Sequence, residues 1–433
     1  MNKINVFWII LIIIIPFSVY AEEPLIKNGE QLSMERCIEI ALKVQPTLMR
    51  DRYMIMQKEA LLGQAKSSYY PKVDVSAGVT RNFIEKQTND PVFMGAYPYN
   101  AYNQNNGTAS LNQMIYDFGR TPSDVKTKKF DLESSKFDLD STITTVSNNV
   151  RSAYYEVLRT KRSRDVNLEA VNQNKQHLEQ AKTLFTAGKK PKYDVTKAEL
   201  DLSNAGLKLI GAENDLKIAQ VKLNNAMGIV ETAGYSIDDT LSFLEYTITL
   251  EDALEKAYRN RPDFKSLMAQ KNAASMAVKR ATKDYLPSIN GKAGYNFTGS
   301  EYPLGQGWNA GVVMTLNLFE GNLTRNKVEE SIAKARAIEA NIESKRLDIL
   351  LDVKQAYLNL LKAKDAIANT EIQVKQATEN LELATLRYSA GIAEPLEVTD
   401  ATVSYSQAKL SNISSLYDYK IAQANIEKAM GNK

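Results

Sequence analysis

The stretch IEIALKVQPTL (38–48) returns as LEKAYRNRPDF (254–264), and SSYYPKVDVSAGV (67–79) returns as KDYLPSINGKAGY (283–295). Both pairs are offset by 216 residues without a gap, so the proline of each first copy matches the proline of the second. A unit of this length exceeds the roughly 20 to 50 residues of a solenoid repeat. The chain is therefore a tandem duplication of one unit, as expected for two halves of a symmetric protein.

Downstream the duplication continues at a smaller offset. Gly188 pairs with Gly391 at an offset of 203. The smaller offset matches the unequal lengths of two expected strand-connecting loops, 85–106 and 299–307. The sequence thus predicts a first repeat, a linker and a second repeat at 34–228, 229–249 and 250–431.

The N-terminus has the layout of a secretory signal peptide. Lys3 precedes an apolar run from Val6 to Phe17, and the small residue Ala21 comes shortly before two glutamates. The apolar run is short compared with the roughly 20 residues of a membrane span. We expect residues 1–21 to be removed and 22–33 to form a linker, with a retained anchor as the alternative.

Composition excludes some partners and bonds. The formal net charge is +3 with 24% charged residues, which gives no basic patch for nucleic acid. Cys37 is the single cysteine, so no internal disulfide is possible. Beyond the N-terminus no stretch reaches the apolar length of a spanning helix, so any further membrane crossing would have to use strands.

Each repeat is predicted to start with a helix, after which the spacing of apolar residues changes to that of a strand. One helix is expected from Ser33 to Ser68, with Ser33 as its N-cap and Thr249 in the same role in the second repeat. From Val73 onward apolar and polar residues alternate, which is typical of a strand. We therefore predict one hairpin of strands about ten residues long in each repeat, at 72–118 and 288–318.

Long helices follow the hairpins. Thr121-Pro122-Ser123-Asp124 predicts a start with an N-cap and a proline at the first helical position. A narrow apolar stripe stepping by four and three then indicates a coiled-coil seam on a helix on the order of 100 Å long. The predicted long and returning helices are 122–186, 192–227, 323–389 and 395–430. The fold class is α+β, dominated by long helices, with four strands.

These parts favour a tube that closes between chains. A tilted ten-residue strand can cross a bilayer, but a four-stranded sheet leaves open edges that hydrocarbon does not tolerate. Two copies would give eight strands and three copies twelve. The alternative is a soluble periplasmic scaffold or adaptor with an ordinary small sheet, although the compact β-rich module of an adaptor is absent. No nucleophile, metal or phosphate-binding pattern occurs, so we expect neither an enzyme nor a cofactor.

The chain resembles the TolC family of bacterial outer-membrane efflux and secretion channels. The shared signals run from Ala-Leu-x(3)-Pro at Ala41 to Pro46, through Tyr70-Pro71 before a strand, to the Ala-Gly turns and Met-Gly ends. The resemblance implies a homotrimer with a twelve-stranded barrel in outer-membrane lipid and a twelve-helix periplasmic tunnel. It also implies a periplasmic adaptor and an inner-membrane pump as partners.

Two acids are the first candidate site. Glu397 and Asp400 lie three residues apart, just after Pro395, on one face of a helix near its start. Acids at this place also favour the helix dipole without any further role. The resemblance implies instead that they line the periplasmic entrance, where three chains would bring six carboxylates together and attract or bind cations.

The resemblance also implies a gate between the two helix turns. Family members link an Asp of one coil to a Tyr and an Arg of the other, and here Asp194 and Tyr388 match, but Ala393 replaces the arginine. Lys189 or Lys190 is the substitute that we expect. Gly188 and Gly391 close helix ends, and the resemblance implies that these tips contact the adaptor. His177, the only histidine, is expected on a solvated helix face.

Overall fold

The computed structural model describes residues 25–27, 29–84, 100–230, 234–239 and 245–432. The expected signal peptide, 1–21, lies outside these residues, as do parts of the expected linkers 22–33 and 229–249. The helices are α1 (Met34–Val44), α2 (Pro46–Ser67), α3 (Arg120–Thr186), α4 (Lys192–Met227), α5 (Leu250–Asn260), α6 (Pro262–Thr282), α7 (Leu323–Ser389) and α8 (Pro395–Ala429). The strands are β1 (Gln31–Leu32), β2 (Lys72–Ile84), β3 (Asn100–Tyr116), β4 (Ser236–Ile237), β5 (Ser288–Gly299) and β6 (Gly305–Thr315).

The prediction of a single helix from Ser33 to Ser68 is wrong, because the helix is interrupted at Gln45. We call this interruption, and its equivalent in the second repeat, a break. Ser33 does cap α1, accepting a hydrogen bond from the Arg36 amide at 3.2 Å. Gln45 has extended backbone angles, φ −61° and ψ 120°, since the residue before a proline is disfavoured in the helical region. Arg261 repeats the break between α5 and α6.

Each break lies against the end of a returning helix. Gly228 ends α4 with φ +79°, and a Cβ built on it would lie 2.9 Å from the Cα of Gln45. The side-chain amide of Gln45 also donates, through Nε2, to the Ala226 carbonyl at 2.9 Å. In the second repeat a Cβ on Gly431 would lie 2.8 Å from the Cα of Arg261. We call the pairs α2 with α4 and α6 with α8 the two short-helix columns.

The helices form one layer of four members, which are the two long helices α3 and α7 and the two short-helix columns. α3 packs against α2 and α4, and also against α6 and α8, whereas α7 packs against α6 and α8. The order across the layer is therefore the first column, α3, the second column and α7. At 1.5 Å per residue the 67-residue helices α3 and α7 each extend about 100 Å.

The large sheet has the same order as the helix layer. Its four strands are antiparallel in the order β2-β3-β5-β6, and each continues into the helical member at the matching place. Register puts Val75, Ala109, Tyr295 and Trp308 in one row and Ser76, Thr108, Asn296 and Gly307 in the next. Successive rows point to opposite faces, so one face is largely apolar and the other polar.

The strands are longer than the expected ten residues, with 13 in β2, 17 in β3, 12 in β5 and 11 in β6. The expected first loop, 85–106, is wrong at its end because β3 already begins at Asn100 and pairs there with Ile84. Its polar residues lie on both faces of the sheet, with Asn103 opposite Arg81 and Gln104 opposite Thr80. The stretch therefore lacks the alternation of apolar and polar residues that predicts a strand. Residues 85–99 lie outside the described part of the chain.

The start of α3 also differs from the prediction. The helix begins at Arg120, and Gly119, with φ +96°, is its N-cap in place of Thr121. The Asp117 carboxylate supplies the capping acceptors, taking hydrogen bonds from the amides of Gly119 at 3.0 Å and Thr121 at 2.6 Å. The side chain that caps the helix, Asp117, thus comes three residues before its first residue, and Pro122 is within the first turn.

A hydrophobic core lies at the level of the first break. Its fully buried members include Leu32, Cys37, Val150, Leu223 and Tyr417. The Tyr154 hydroxyl donates to the Asp238 carbonyl at 2.7 Å and lies 3.2 Å from that of Leu32, next to the parallel pair β1–β4. Burial raises the pKa of the Cys37 thiol to about 12.

We expect Gly228→Ala to destabilise the protein. The new Cβ meets the Gln45 backbone, and the positive φ is costly for alanine, so the loss is on the order of 1–3 kcal/mol. The midpoint of thermal unfolding, followed by circular dichroism, should fall. Gly206→Ala is the control, because Gly206 lies inside α4 with no atom within 4 Å of its Cβ position; its midpoint should stay or rise. Equal midpoints for the two variants would contradict the close-approach argument.

Candidate functional site

The candidate site lies at the turns of two helix hairpins, one formed by α3 and α4 and the other by α7 and α8. Gly188 and Gly391 have φ of +68° and +78°, the left-handed conformation that ends a helix. The amide of Lys189 donates to the Leu184 carbonyl, and that of Ile392 to the Arg387 carbonyl, both at 2.9 Å. The two turns are thus built alike, and each returns the chain into a helix that starts at Lys192 or Pro395.

Tyr388 connects the two hairpins. It lies in the last turn of α7 and is fully buried, with its ring centroid 4.9 Å from that of His177 on α3. The Lys190 ammonium lies 5.4 Å from the same ring and donates to the Ala393 carbonyl at 3.2 Å. The Tyr388 ring is therefore held by two groups of the first repeat. Lys189, by contrast, is exposed and makes no ion pair among the described residues.

Asp194 lies beside this ring in the first turn of α4. Its side chain is 3% exposed, and its Oδ2 has no hydrogen-bond partner within the described ranges, nor has the Tyr388 hydroxyl. Burial, and then the negative charge of Asp194, raise the pKa of Tyr388. The structure places Asp194 and Lys190 close to Tyr388, without a hydrogen bond between Asp194 and Tyr388. The gate that the resemblance implies for these residues stays a prediction.

His177 is not on a solvated face, and that expectation is wrong. It is 8% exposed and packs against Tyr388 of the other hairpin. The signal for its burial was in the sequence, because His177 precedes Ala181 by four residues and Leu184 by seven, the spacing of the coiled-coil stripe. Its partner, 211 positions away, left no local signal.

A second polar contact joins the hairpins two turns further along α4. The Thr399 hydroxyl donates to Asp201 Oδ2 at 2.8 Å, and Lys197 bonds the other oxygen at 2.5 Å. Asp201 is 9% exposed, so this carboxylate is buried with its charge compensated. Both oxygens of Asp201 are therefore occupied, in contrast to Oδ2 of Asp194.

Glu397 and Asp400 both lie on the exposed surface of α8. The Glu397 carboxylate is 3.7 Å from the Arg387 guanidinium, and this is a solvated ion pair. Asp400 makes no hydrogen bond or ion pair among residues 245–432. Sequence reasoning missed Arg387, which stands next to Tyr388, because it looked for the basic partner at Ala393 and at the lysines of the other turn.

No group of three or more metal-binding side chains occurs in the described part of the chain. Among the same residues, none of the helices combines the length and apolarity needed to cross a membrane.

Comparison with known proteins finds a matching family model and several relatives of the chain. The family model described as outer membrane efflux protein matches residues 37–229 and 253–432. TolC of Vibrio cholerae is 26% identical over 168 residues, 38% of this chain and 38% of that protein, so the matched part is well under half of either. Protein CyaE of Bordetella pertussis is 23% identical over 395 residues, 89% of this chain and 81% of that protein.

A solved structure extends the likeness to the fold. The Campylobacter jejuni CmeC outer membrane channel superimposes with a TM-score of 0.81 at 18% identity, over 92% of this chain and 85% of that one. The two segments matched by the family model contain all the long helices and all four strands of the large sheet. The chain therefore belongs to the outer membrane efflux protein family.

Proposed function

We propose that the protein is an outer-membrane channel that serves as the passive exit duct of an efflux pump or a type I secretion system. One observation carries this proposal: the sheet and the helix layer are both open, at the same two edges and in the same order. β2 and the first column form one edge, and β6 and α7 form the other. A single chain therefore has the shape of a segment of a wall.

Both helical edges carry apolar side chains without a partner. On α4 the exposed stripe steps by three, seven or eight residues, with Leu207 68% exposed. Its members are Leu200, Leu207, Ile210, Ile218 and Val221. A similar stripe on α7 consists of Leu347, Leu351, Leu358, Leu383 and Leu386. Stripes with this spacing pack against another helix, so each edge fits the opposite edge of a second copy.

The sheet supports a lipid-facing position. Trp308, in the apolar row, is 78% exposed, and Val73, Val75 and Val79 are also exposed. An apolar sheet face of this extent in water favours aggregation, whereas in a bilayer it is the expected outer surface. The polar face, with serine, threonine and asparagine, would then line a water-filled lumen. The exposed apolar face also counts against the soluble scaffold.

Closure needs identical copies joined head to tail. Joining the β6 edge of one copy to the β2 edge of the next completes the hydrogen bonds of both edges, and the same step joins α7 to the first column. Three copies, the number that the family resemblance suggests, give twelve strands and twelve helical members. Such a duct contributes no chemistry of its own, so an inner-membrane pump, reached through a periplasmic adaptor, would supply the energy.

The hairpin turns would form the periplasmic end of the duct. Glu397 and Asp400 are exposed there, and three copies would bring six carboxylates to the entrance. Gly188 and Gly391 are exposed at the tips, where a periplasmic adaptor would dock. Asp194, Tyr388 and Lys190 would hold the two hairpins of one chain together in the closed entrance.

Fractionation tests the proposal directly. We expect the protein in outer-membrane fractions and a change in its gel mobility on heating, because closed barrels unfold only when heated. A protein found in the soluble periplasm would contradict the channel.

The apolar edge of α4 should be required for assembly. We expect Leu207→Asp with Ile210→Asp to prevent trimer formation, because two carboxylates would be buried between copies without partners. Native mass spectrometry of the detergent-purified protein reports the number of chains. The control, Asn204→Asp with Lys208→Asp, adds two acids to exposed positions of α4 outside the stripe and should leave three chains. A trimeric double mutant at 207 and 210 would exclude this edge.

The entrance acids should determine ion selectivity. We expect Glu397→Gln with Asp400→Asn to lower cation preference and to weaken block by divalent cations, since the substitutions remove six charges from one narrow ring. Reversal potentials in planar bilayers measure the preference. Glu251→Gln with Glu255→Gln removes the same charge from exposed positions of α5 and should change little. Unchanged selectivity would leave the two acids with a role in the helix dipole alone.

A further inference from the structure

The surroundings of His177 combine burial with an unused acceptor. Its imidazole packs on the Tyr388 ring at 4.9 Å and is 8% exposed. Asp194, which acts electrostatically on His177, has an oxygen without a hydrogen-bond partner in the described part of the chain. The charged or titratable groups that face this region are Lys190, Asp194, Lys197 and Asp201 from the turn and α4, and Glu382 and Tyr388 from α7.

We propose that His177 is a positioning residue of the entrance: as a neutral ring it holds Tyr388, and a proton on it releases Tyr388 and loosens the two hairpins. This inference rests on the proposed channel function. It assigns to a single histidine a control that depends on the acidity of the periplasm.

The physical reason is a change of partner. A neutral imidazole packs well against an uncharged tyrosine ring in a dry site, whereas an imidazolium needs a compensating charge. Asp201 is already bonded to Lys197 and Thr399, so it has no free oxygen to offer. Asp194 has one, and a charged His177 would turn toward it and away from Tyr388. The contact that joins α3 to the end of α7 would then be lost.

The direction with pH follows from burial. Burial lowers the pKa of His177 below its ordinary value of 6.5, and the nearby charges of Asp201 and Asp194 oppose this only in part. A loosened entrance exposes the ring and restores the ordinary pKa. The closed arrangement therefore binds fewer protons and loses stability as the pH falls from 6.5 through the lowered pKa.

Channel recordings on the full trimer test this inference. They should use protein with Glu397→Gln and Asp400→Asn throughout, so that the entrance acids do not contribute to the pH response. We expect conductance to rise as the pH is lowered from about 8 to about 5, within the range in which histidine titrates. His177→Gln, which keeps a polar side chain but does not titrate there, should lose this rise.

Two further results separate the inference from a merely structural role. Asp194→Asn removes an acid that favours the charged ring, so it should move the rise to lower pH. Native mass spectrometry and circular dichroism at neutral pH show whether each variant still forms a trimer. A rise that persists in folded His177→Gln would overturn the role of His177 while leaving the channel intact. Absence of any conductance in the parent protein would instead overturn the proposed function.

Discussion

The close approach of backbone at the two helix breaks is the constraint on which the architecture depends. Gln45 lies on Gly228, and Arg261 on Gly431, with no room for a side chain between them. Because of these contacts, the helix that returns from a turn ends where the helix leading to a strand begins. Two short helices thereby match one helix of 67 residues. Without this abutment the layer would not keep the same four-member order from the turns to the sheet.

Much of this could be predicted, because the signals are local. The period of the strands, the stripes of the long helices and the glycines of the turns depend on residues within one or two turns of the chain. The break at Gln45 was equally local, since Pro46 disfavours a helical conformation for the residue before it. The apolar residues Ala41, Val44 and Leu48 nevertheless keep steps of three and four across Gln45, and this spacing favours one continuous helix.

Contacts over long sequence distances could not be predicted in the same way. His177 and Tyr388 come together because two hairpins of different repeats pack side by side. No sequence pattern near either residue indicates that the other is its partner. The duplication itself shows how specific this contact is. The positions equivalent to Tyr388 and His177 in the other repeats are Phe185, which is 45% exposed, and Asn380. The two copies share a backbone design, and their tips have acquired different side chains.

The matching order of sheet and helices has a consequence for how the oligomer forms. Inside one chain, α3 packs against the second column, and in the proposed closed wall α7 packs against the first column of its neighbour in the equivalent way. Half of the contacts between repeats around the proposed ring are thus made within a chain and need no association of separate molecules. Each association of free molecules costs translational and rotational entropy, estimated at about 4–15 kcal/mol. In the proposed trimer, joining two units in one polypeptide leaves three bodies to assemble in place of six and removes that cost from every second contact between repeats.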